Sequence, residues 1–286
     1  MKHQEPMAKH TSWRVGGPAD NFYIPADLED LQVFLKSISA DEPCLWLGLG
    51  SNLLVRDGGY RGTVISVTGV LADLSIVSPG ILRAGAGVTC ARLARFAADA
   101  GYGGVEFLAG IPGTFGGALA MNAGSFGGEI WNFVSRAETL DHRGVIRNRT
   151  REELQVGYRS VVLPGNEWFI AGELSLERED IETARSRIRE MLTQRSRSQP
   201  TGVSSCGSVF RNPQGDYAGR LIDACGLKGF RIGQASVSIK HANFIVNEGG
   251  ANAGDIEALI NHVQGIVFKE YGVRLEPEVR ILGEAA

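Results

Sequence analysis

Apolar and polar positions follow two periods along this chain, and the switches between them lay out a mixed fold. Leu28, Leu31, Leu35 and Ile38 form one apolar stripe at helical spacing, with Asp27 placed to cap its start. PCLWLGLG (43–50) then reads as a buried strand and GTVISV (62–67) as another. ILRAGAGV (81–88) predicts a further strand, leading into a helix that starts at Thr89, turns Leu93 and Phe96 inward and stops at Gly101. SRAETLDHRGVIRN (135–148) predicts a hairpin turning at Asp141–Gly144, and WFIAGELSL (168–176) a strand. A basic helix follows over Ile181–Arg195, with Ile181, Ala184, Ile188, Met191 and Leu192 inward and its arginines outward.

RSRSQPTGVSS (195–205) is polar, holds a proline and carries little apolar content, which marks a boundary. Beyond it come a short helix ending at Cys225-Gly226 and a strand pair through ASVSIKHANFIVN (235–247). A long helix starts at Asn252, with Asp255 three residues on, and presents Ile256, Leu259, Ile260, Val263 and Val267 to a core before Gly272 ends it. A last strand is expected over Val273–Leu282, carrying Glu276, Glu278 and Arg280. The first segment alternates strand and helix. The expected division is 1–197, itself in two lobes that part near 70–80, and 198–286.

One stretch has no period at all. Residues 103–129, GGVEFLAGIPGTFGGALAMNAGSFGGE, are dense in glycine and nearly uncharged. A disordered linker would be polar, yet this run holds Phe107, Leu108, Ile111 and Met121. Ordered backbone packed against something flat and large fits it better. Glycine, at 38 of 286 residues, is roughly twice as frequent as usual. The rest of the composition is ordinary, with 43% hydrophobic and 21% charged residues and a net charge of −3, too small for nucleic-acid wrapping or a membrane-surface role. No apolar run reaches the length of a membrane span. The start, MKHQEPMAKHTSW, lacks the apolar core of a secretion signal. The four cysteines, Cys44, Cys90, Cys206 and Cys225, show no disulfide spacing, and three of them sit in apolar or helical context as expected buried thiols. A cytoplasmic protein is the expectation. The five histidines make no metal-ligand spacing, so no metal is expected.

LGLGSNLLVRDGGYRG (47–62) looks built to hold phosphates. No lysine follows its glycines, so it is not the loop of an ATP or GTP hydrolase. Gly48 and Gly50 fit the first two places of a dinucleotide fingerprint, but Leu53 takes the third and no helix follows. What remains is a loop between strands whose amides nest around a diphosphate that is held and not cleaved. A plain tight turn is the weaker alternative on spacing alone.

Seven blocks decide between these. TSWRVGGPAD, LGLGSNLLVRDGGYRGTVI, EFLAGIPGTFGGALAMNAGSFGGEI, GYRS, CGSVFRNP, KHANFIVN and LEPEVRILG run from Thr11 to Gly283 in the order found in the MurB family, the UDP-N-acetylenolpyruvoylglucosamine reductases. The chain resembles the family's shorter subtype, which lacks an inserted tyrosine-bearing substrate loop after the position of Arg159. The resemblance implies an α+β fold, with a two-part FAD-binding region of the vanillyl-alcohol-oxidase type over 1–197 and a smaller α+β substrate-binding domain over 198–286. It implies FAD as cofactor and NADPH as co-substrate. The implied partner is UDP-N-acetyl-3-O-(1-carboxyvinyl)-glucosamine, whose enolpyruvyl ether is reduced to give UDP-N-acetylmuramate for peptidoglycan synthesis, cell shape and division. By the same resemblance Gly48, Gly50, Ser51, Asn52, Leu53 and Leu54 cradle the FAD diphosphate. Gly110, Ile111, Gly113, Thr114 and Gly116 lie along the flavin, with Asn122 and Gly124 in the same segment.

The implied catalytic set is Ser208 as proton donor, Arg159 as the cation that steadies the enolic intermediate, and Glu278 as the acidic residue. Asn212 is implied at the substrate diphosphate, with Arg211 adding positive charge beside it. On composition alone Ser208 reads as a turn serine, Arg159 as a surface arginine and Glu278 as a strand-face partner of Arg280. Three positions depart from the pattern: Cys206 stands where small residues are usual, Val161 replaces a serine and Ile239 a glutamate. The alternatives are another FAD-dependent oxidase or dehydrogenase of the same fold, or a nucleotide-sugar binder without activity.

Overall fold

The structure, a computed structural model, describes residues 1–286. They form two units, the first made of Met1–Phe22, Leu49–Thr63 and Ser196–Ala286, the second of Tyr23–Gly48 and Val64–Arg195. The first 22 residues and 49–63 therefore group with the C-terminal part, where the sequence reading kept them with 1–197. The reason lies in specific long-range bonds. Trp13 is fully buried, its indole N–H donates to the Ile245 carbonyl at 2.8 Å, and Asn247 donates back to the Trp13 carbonyl at 2.9 Å. The Leu53–Val55 strand pairs in parallel with Arg280–Leu282. Arg56 makes a two-pronged ion pair with Glu257, both contacts at 2.8 Å, and both Asp57 carboxylate oxygens accept amides of the first helical turn, from Ala253 and Gly254.

That helix, Ala253–Tyr271, organises the first unit. Asn252 and Asp255 cap each other reciprocally, and Gly272 closes the far end in the left-handed conformation. Ile256, Leu259, Ile260, Val263 and Val267 are buried against Trp13, Leu54, Phe210, Leu221 and Ile222. The strand expected over Val273–Leu282 survives only as Arg280–Leu282. Pro277 lacks the amide that a longer ladder needs, and upstream only a single bridge joins it to Phe210.

The second unit is built on a five-stranded antiparallel sheet in the order Ile146–Arg149, Val134–Asp141, Glu167–Ser175, Ile81–Gly85, Leu74–Ser78. Side chains alternate across it, except that a register shift between Phe169 and Ala171 resets the alternation along Glu167–Ser175. Ala137, Phe169 and Leu174 join a core with helices Cys90–Asp99 and Ile181–Ser198, whereas Leu140 and Ile170 join another with helix Leu28–Ser37. Asp27 caps the last of these as expected, accepting the Asp30 amide, and Thr89 caps Cys90–Asp99. The hairpin turn closes where expected, with the Gly144 amide on the Asp141 carbonyl.

The glycine-dense run is ordered, but not devoid of helix: Phe115–Met121 forms two short turns, with Phe115, Ala118 and Leu119 buried. Seven residues are too few to show an amphipathic period. Of the cysteines only Cys90 and Cys206 are buried, whereas Cys44 and Cys225 are half-exposed. No helix is long and apolar enough to cross a membrane.

Candidate active site

The glycine loop joins two strands, Cys44–Leu47 and Leu53–Val55, as a nest requires and a strand-to-helix turn does not. A methyl group on Gly48 would stand 2.4 Å from Thr114 Oγ1. Gly50 has φ +61°, and a methyl there would stand 1.9 Å from the His10 carbonyl oxygen. The loop is thus held to shape by its own surroundings. Ser51 and Asn52 are half-buried, while Leu53 and Leu54 are buried strand residues.

The segment from Gly110 differs. Methyl groups at Gly110 and Gly117 would meet nothing closer than 3.6 and 3.7 Å, so packing inside the protein does not demand glycine there. Bare backbone at those two places fits a flat ligand that needs the room. The amides of Ile111, Gly113, Phe115 and Gly116 already donate to protein carbonyls, so what these positions offer is contact surface more than hydrogen-bond donors. Thr114 is buried, and Gly116 packs on Ala86. Arg195, expected outward on its helix, instead lies by Gly110, its Cδ 3.6 Å from where a methyl would stand. Burial pushes its guanidinium pKa down from the ordinary arginine value.

In the first unit, Ser208 and Glu278 are carried on adjoining segments. Both are half-buried. The Glu278 amide donates to the Val209 carbonyl at 2.7 Å, and the Arg211 amide to the Glu276 carbonyl at 2.9 Å. Asn52, from the glycine loop, donates its side-chain amide to the Glu278 carbonyl at 3.0 Å and accepts the Arg280 amide on its own carbonyl at 3.1 Å. The loop, the serine and the glutamate are therefore wired together through backbone. Beneath them the buried Cys206 thiol lies 3.8 and 3.6 Å from the Gly50 and Leu53 carbonyls, and burial pushes it up to about 12, so it packs and does not react. Asn212 is exposed, its Oδ1 accepting the Ala218 amide, and Arg211 reaches Glu276 at 4.0 Å.

Arg159 belongs to the second unit. It sits at the tip of a hairpin between Gln155–Gly157 and Ser160–Val162, with φ +52°, and its Nη2 donates to the Gly124 carbonyl at 2.6 Å. Asn122 ends the Phe115–Met121 helix, and its side chain bonds Glu129, Gly157 and Trp131 within the protein.

Sequence reasoning missed Asn243. Buried, it accepts the Phe210 amide at 2.9 Å and donates to the Phe210 carbonyl at 2.8 Å, and its own carbonyl takes the Val209 amide. It fixes the segment that carries Ser208. The only signal was its place inside KHANFIVN.

Residues 19–149 match the FAD binding domain family, and residues 199–282 match the C-terminal domain of UDP-N-acetylenolpyruvoylglucosamine reductase. The reductase of that name from Alkalilimnicola ehrlichii is 56% identical over 285 residues, covering 100% of this chain and 95% of its own. Its counterpart from Methylococcus capsulatus is 57% identical over 281 residues, covering 98% and 92%. The chain belongs to the UDP-N-acetylenolpyruvoylglucosamine reductase family. The crystal structure of the MurB reductase from Thermus caldophilus superposes with a TM-score of 0.84 at 36% identity, over 96% of this chain and 97% of that one. The α+β fold expected from the resemblance is the fold of the family.

Proposed function

We propose that this chain is the NADPH-dependent reductase of UDP-N-acetyl-3-O-(1-carboxyvinyl)-glucosamine, forming UDP-N-acetylmuramate for peptidoglycan synthesis in the cytoplasm. The observation that carries the reading is the wiring of the glycine loop to Ser208 and Glu278, through the Asn52 bond to the Glu278 carbonyl and the Glu278 bond to the Val209 carbonyl. The chemistry FAD supplies when bound is hydride relay at its N5 nitrogen, from NADPH to the CH2 carbon of the enolpyruvyl ether.

Gly48, Gly50, Ser51 and Asn52 hold the cofactor diphosphate, with Leu53 and Leu54 anchoring the loop behind them. Gly110 and Gly117 give the ring system bare backbone to lie on, whereas Gly116, packed on Ala86, and Gly124, packed on the Gly128 carbonyl, are glycines that the protein's own packing requires. Once the CH2 carbon has gained hydride, negative charge collects on the neighbouring carbon and its carboxylate. The planar guanidinium of Arg159 steadies that carboxylate. The Ser208 hydroxyl delivers the proton to the neighbouring carbon, completing the saturated lactyl ether. Glu278 holds a hydrogen bond beside the reacting group, and Arg211 and Asn212 face the substrate diphosphate.

Purified protein is expected to be yellow, to release FAD on denaturation and to oxidise NADPH only when the enolpyruvyl nucleotide sugar is present. Rapid oxygen consumption without the sugar overturns this reading in favour of an oxidase, and a colourless, inactive protein in favour of a binder.

A further inference from the structure

We propose that Asn122 is a positioning residue that holds the hairpin bearing Arg159, and thereby sets where the guanidinium stands. The inference rests on the catalytic reading of Arg159 given above.

The hairpin cannot hold itself. Its strands are three residues each, and Gly157 lies opposite Ser160, so Tyr158 and Arg159 make a two-residue turn. A ribbon that short is marginal on its own. Arg159 also adopts φ +52°, a conformation that disfavours any residue with a side chain and persists only where surroundings impose it.

Val156 and Val161 pack the two strands on the core, and at the turn itself Asn122 touches both sides. Its Nδ2 donates to the Gly157 carbonyl at 3.1 Å, on the strand before the tip. Its own carbonyl faces Arg159 Nη1 at 3.5 Å, and the Gly124 carbonyl two residues on accepts Nη2 at 2.6 Å. Its remaining amide proton goes to Glu129 Oε2 at 2.9 Å, and its Oδ1 accepts the Trp131 amide at 3.3 Å. The side chain is thus committed in all three directions and is only 1% exposed. Asparagine suits the place because it tolerates the left-handed backbone, here φ +42°, that closes the helix before it. Glu129 lies opposite Gly124 in a two-stranded ribbon, so the same contact steadies the carbonyl that grips the guanidinium.

Asn122→Asp keeps size, backbone preference and the acceptor for Trp131, but removes both donors and sets a carboxylate against Glu129. Rapid mixing separates the half-reaction with NADPH from that with the enolpyruvyl sugar. Asn122→Asp is expected to slow the sugar half-reaction at least about tenfold more than the NADPH half-reaction. In an Arg159→Ala background the same change should add less than about threefold, because a residue acting through Arg159 has nothing left to position. In the protein stripped of FAD, amide exchange of Gln155–Val162 should quicken about tenfold or more in Asn122→Asp. Pairing Asn122→Asp with Glu129→Gln restores one donor across the contact and should recover part of both losses. Equal slowing of both half-reactions, full additivity with Arg159→Ala, or unchanged hairpin exchange each overturns the proposal. An Arg159→Ala variant with an unimpaired sugar half-reaction instead overturns the reading of Arg159, and with it any catalytic role for the grip, whatever the exchange data show.

Discussion

Ser208 and Arg159 are held by different means. Ser208 and Glu278 lie on segments tied by main-chain hydrogen bonds, reinforced by Asn243 and Asn52 acting on carbonyls and amides. Side chains there can change without moving the backbone far. Arg159 rides on a two-residue turn with a left-handed φ, held by one side-chain bond from Asn122 to Gly157 and by the Asn122 and Gly124 carbonyls. The first arrangement suits a donor whose distance from a reacting carbon must be fixed. The second suits a long cation whose exact seat depends on a few polar contacts, and it is the more fragile.

That contrast can be broken at several levels, starting with the largest effect. Arg159→Lys is expected to lower kcat by about a hundredfold or more, with a smaller change in KM, because lysine cannot reproduce the planar fork. Steady-state kinetics decide it; a rise in KM alone would reduce Arg159 to simple binding. Gly50→Ala attacks the wired side. With φ +61° and the His10 carbonyl 1.9 Å from the new methyl, the loop must move, at a cost of about 1–3 kcal/mol and at least about tenfold in FAD affinity. Absorbance titration of the stripped protein with FAD measures it, and unchanged affinity would detach the loop from the cofactor.

Acid provides the smallest and most general probe, and it acts on the second unit. Burial pushes the Glu167 carboxyl up, but the Arg149 guanidinium at 2.5 Å, the Thr139 hydroxyl and Arg147 outweigh it, and the net pKa falls below the ordinary 4.5. Asp141 is likewise lowered on balance: burial raises it, while the Val145 amide, Arg147 and the Arg143 amide lower it further. A depressed folded-state pKa gives stability that is present above the unfolded value and is lost as pH falls through the folded one. The melting temperature should therefore decline below pH about 4, and Glu167→Gln should make that decline shallower while lowering stability at neutral pH. Parallel pH-melting curves for the two proteins would remove this network from the account.

Periodic elements were legible in the sequence for a physical reason: an apolar stripe and its caps are local. Asp27, Thr89, Asn252 and Gly272 stand at the ends of helices where their chemistry places them. The helix Phe115–Met121 was not legible, because its glycines hide any stripe. Nor was the grouping of 1–22 and 49–63 with the C-terminal part, which rests on Trp13, Arg56 and Asp57 reaching partners about two hundred residues away. Motif blocks named Ser208, Arg159 and Glu278, but Asn243, Glu129 and the grip of Asn122 appear only when bonds can be followed. A residue that works through another group's backbone leaves no spacing to read.

The central claim is that Ser208, next in sequence to the Val209 carbonyl that accepts the Glu278 amide, supplies the proton that completes reduction. Ser208→Ala studied by rapid mixing tests it most directly. The account predicts that the half-reaction with the enolpyruvyl sugar slows by about 10²–10⁴-fold while the half-reaction with NADPH moves by less than about tenfold. Equal slowing of the two, or an unimpaired sugar half-reaction, would contradict it.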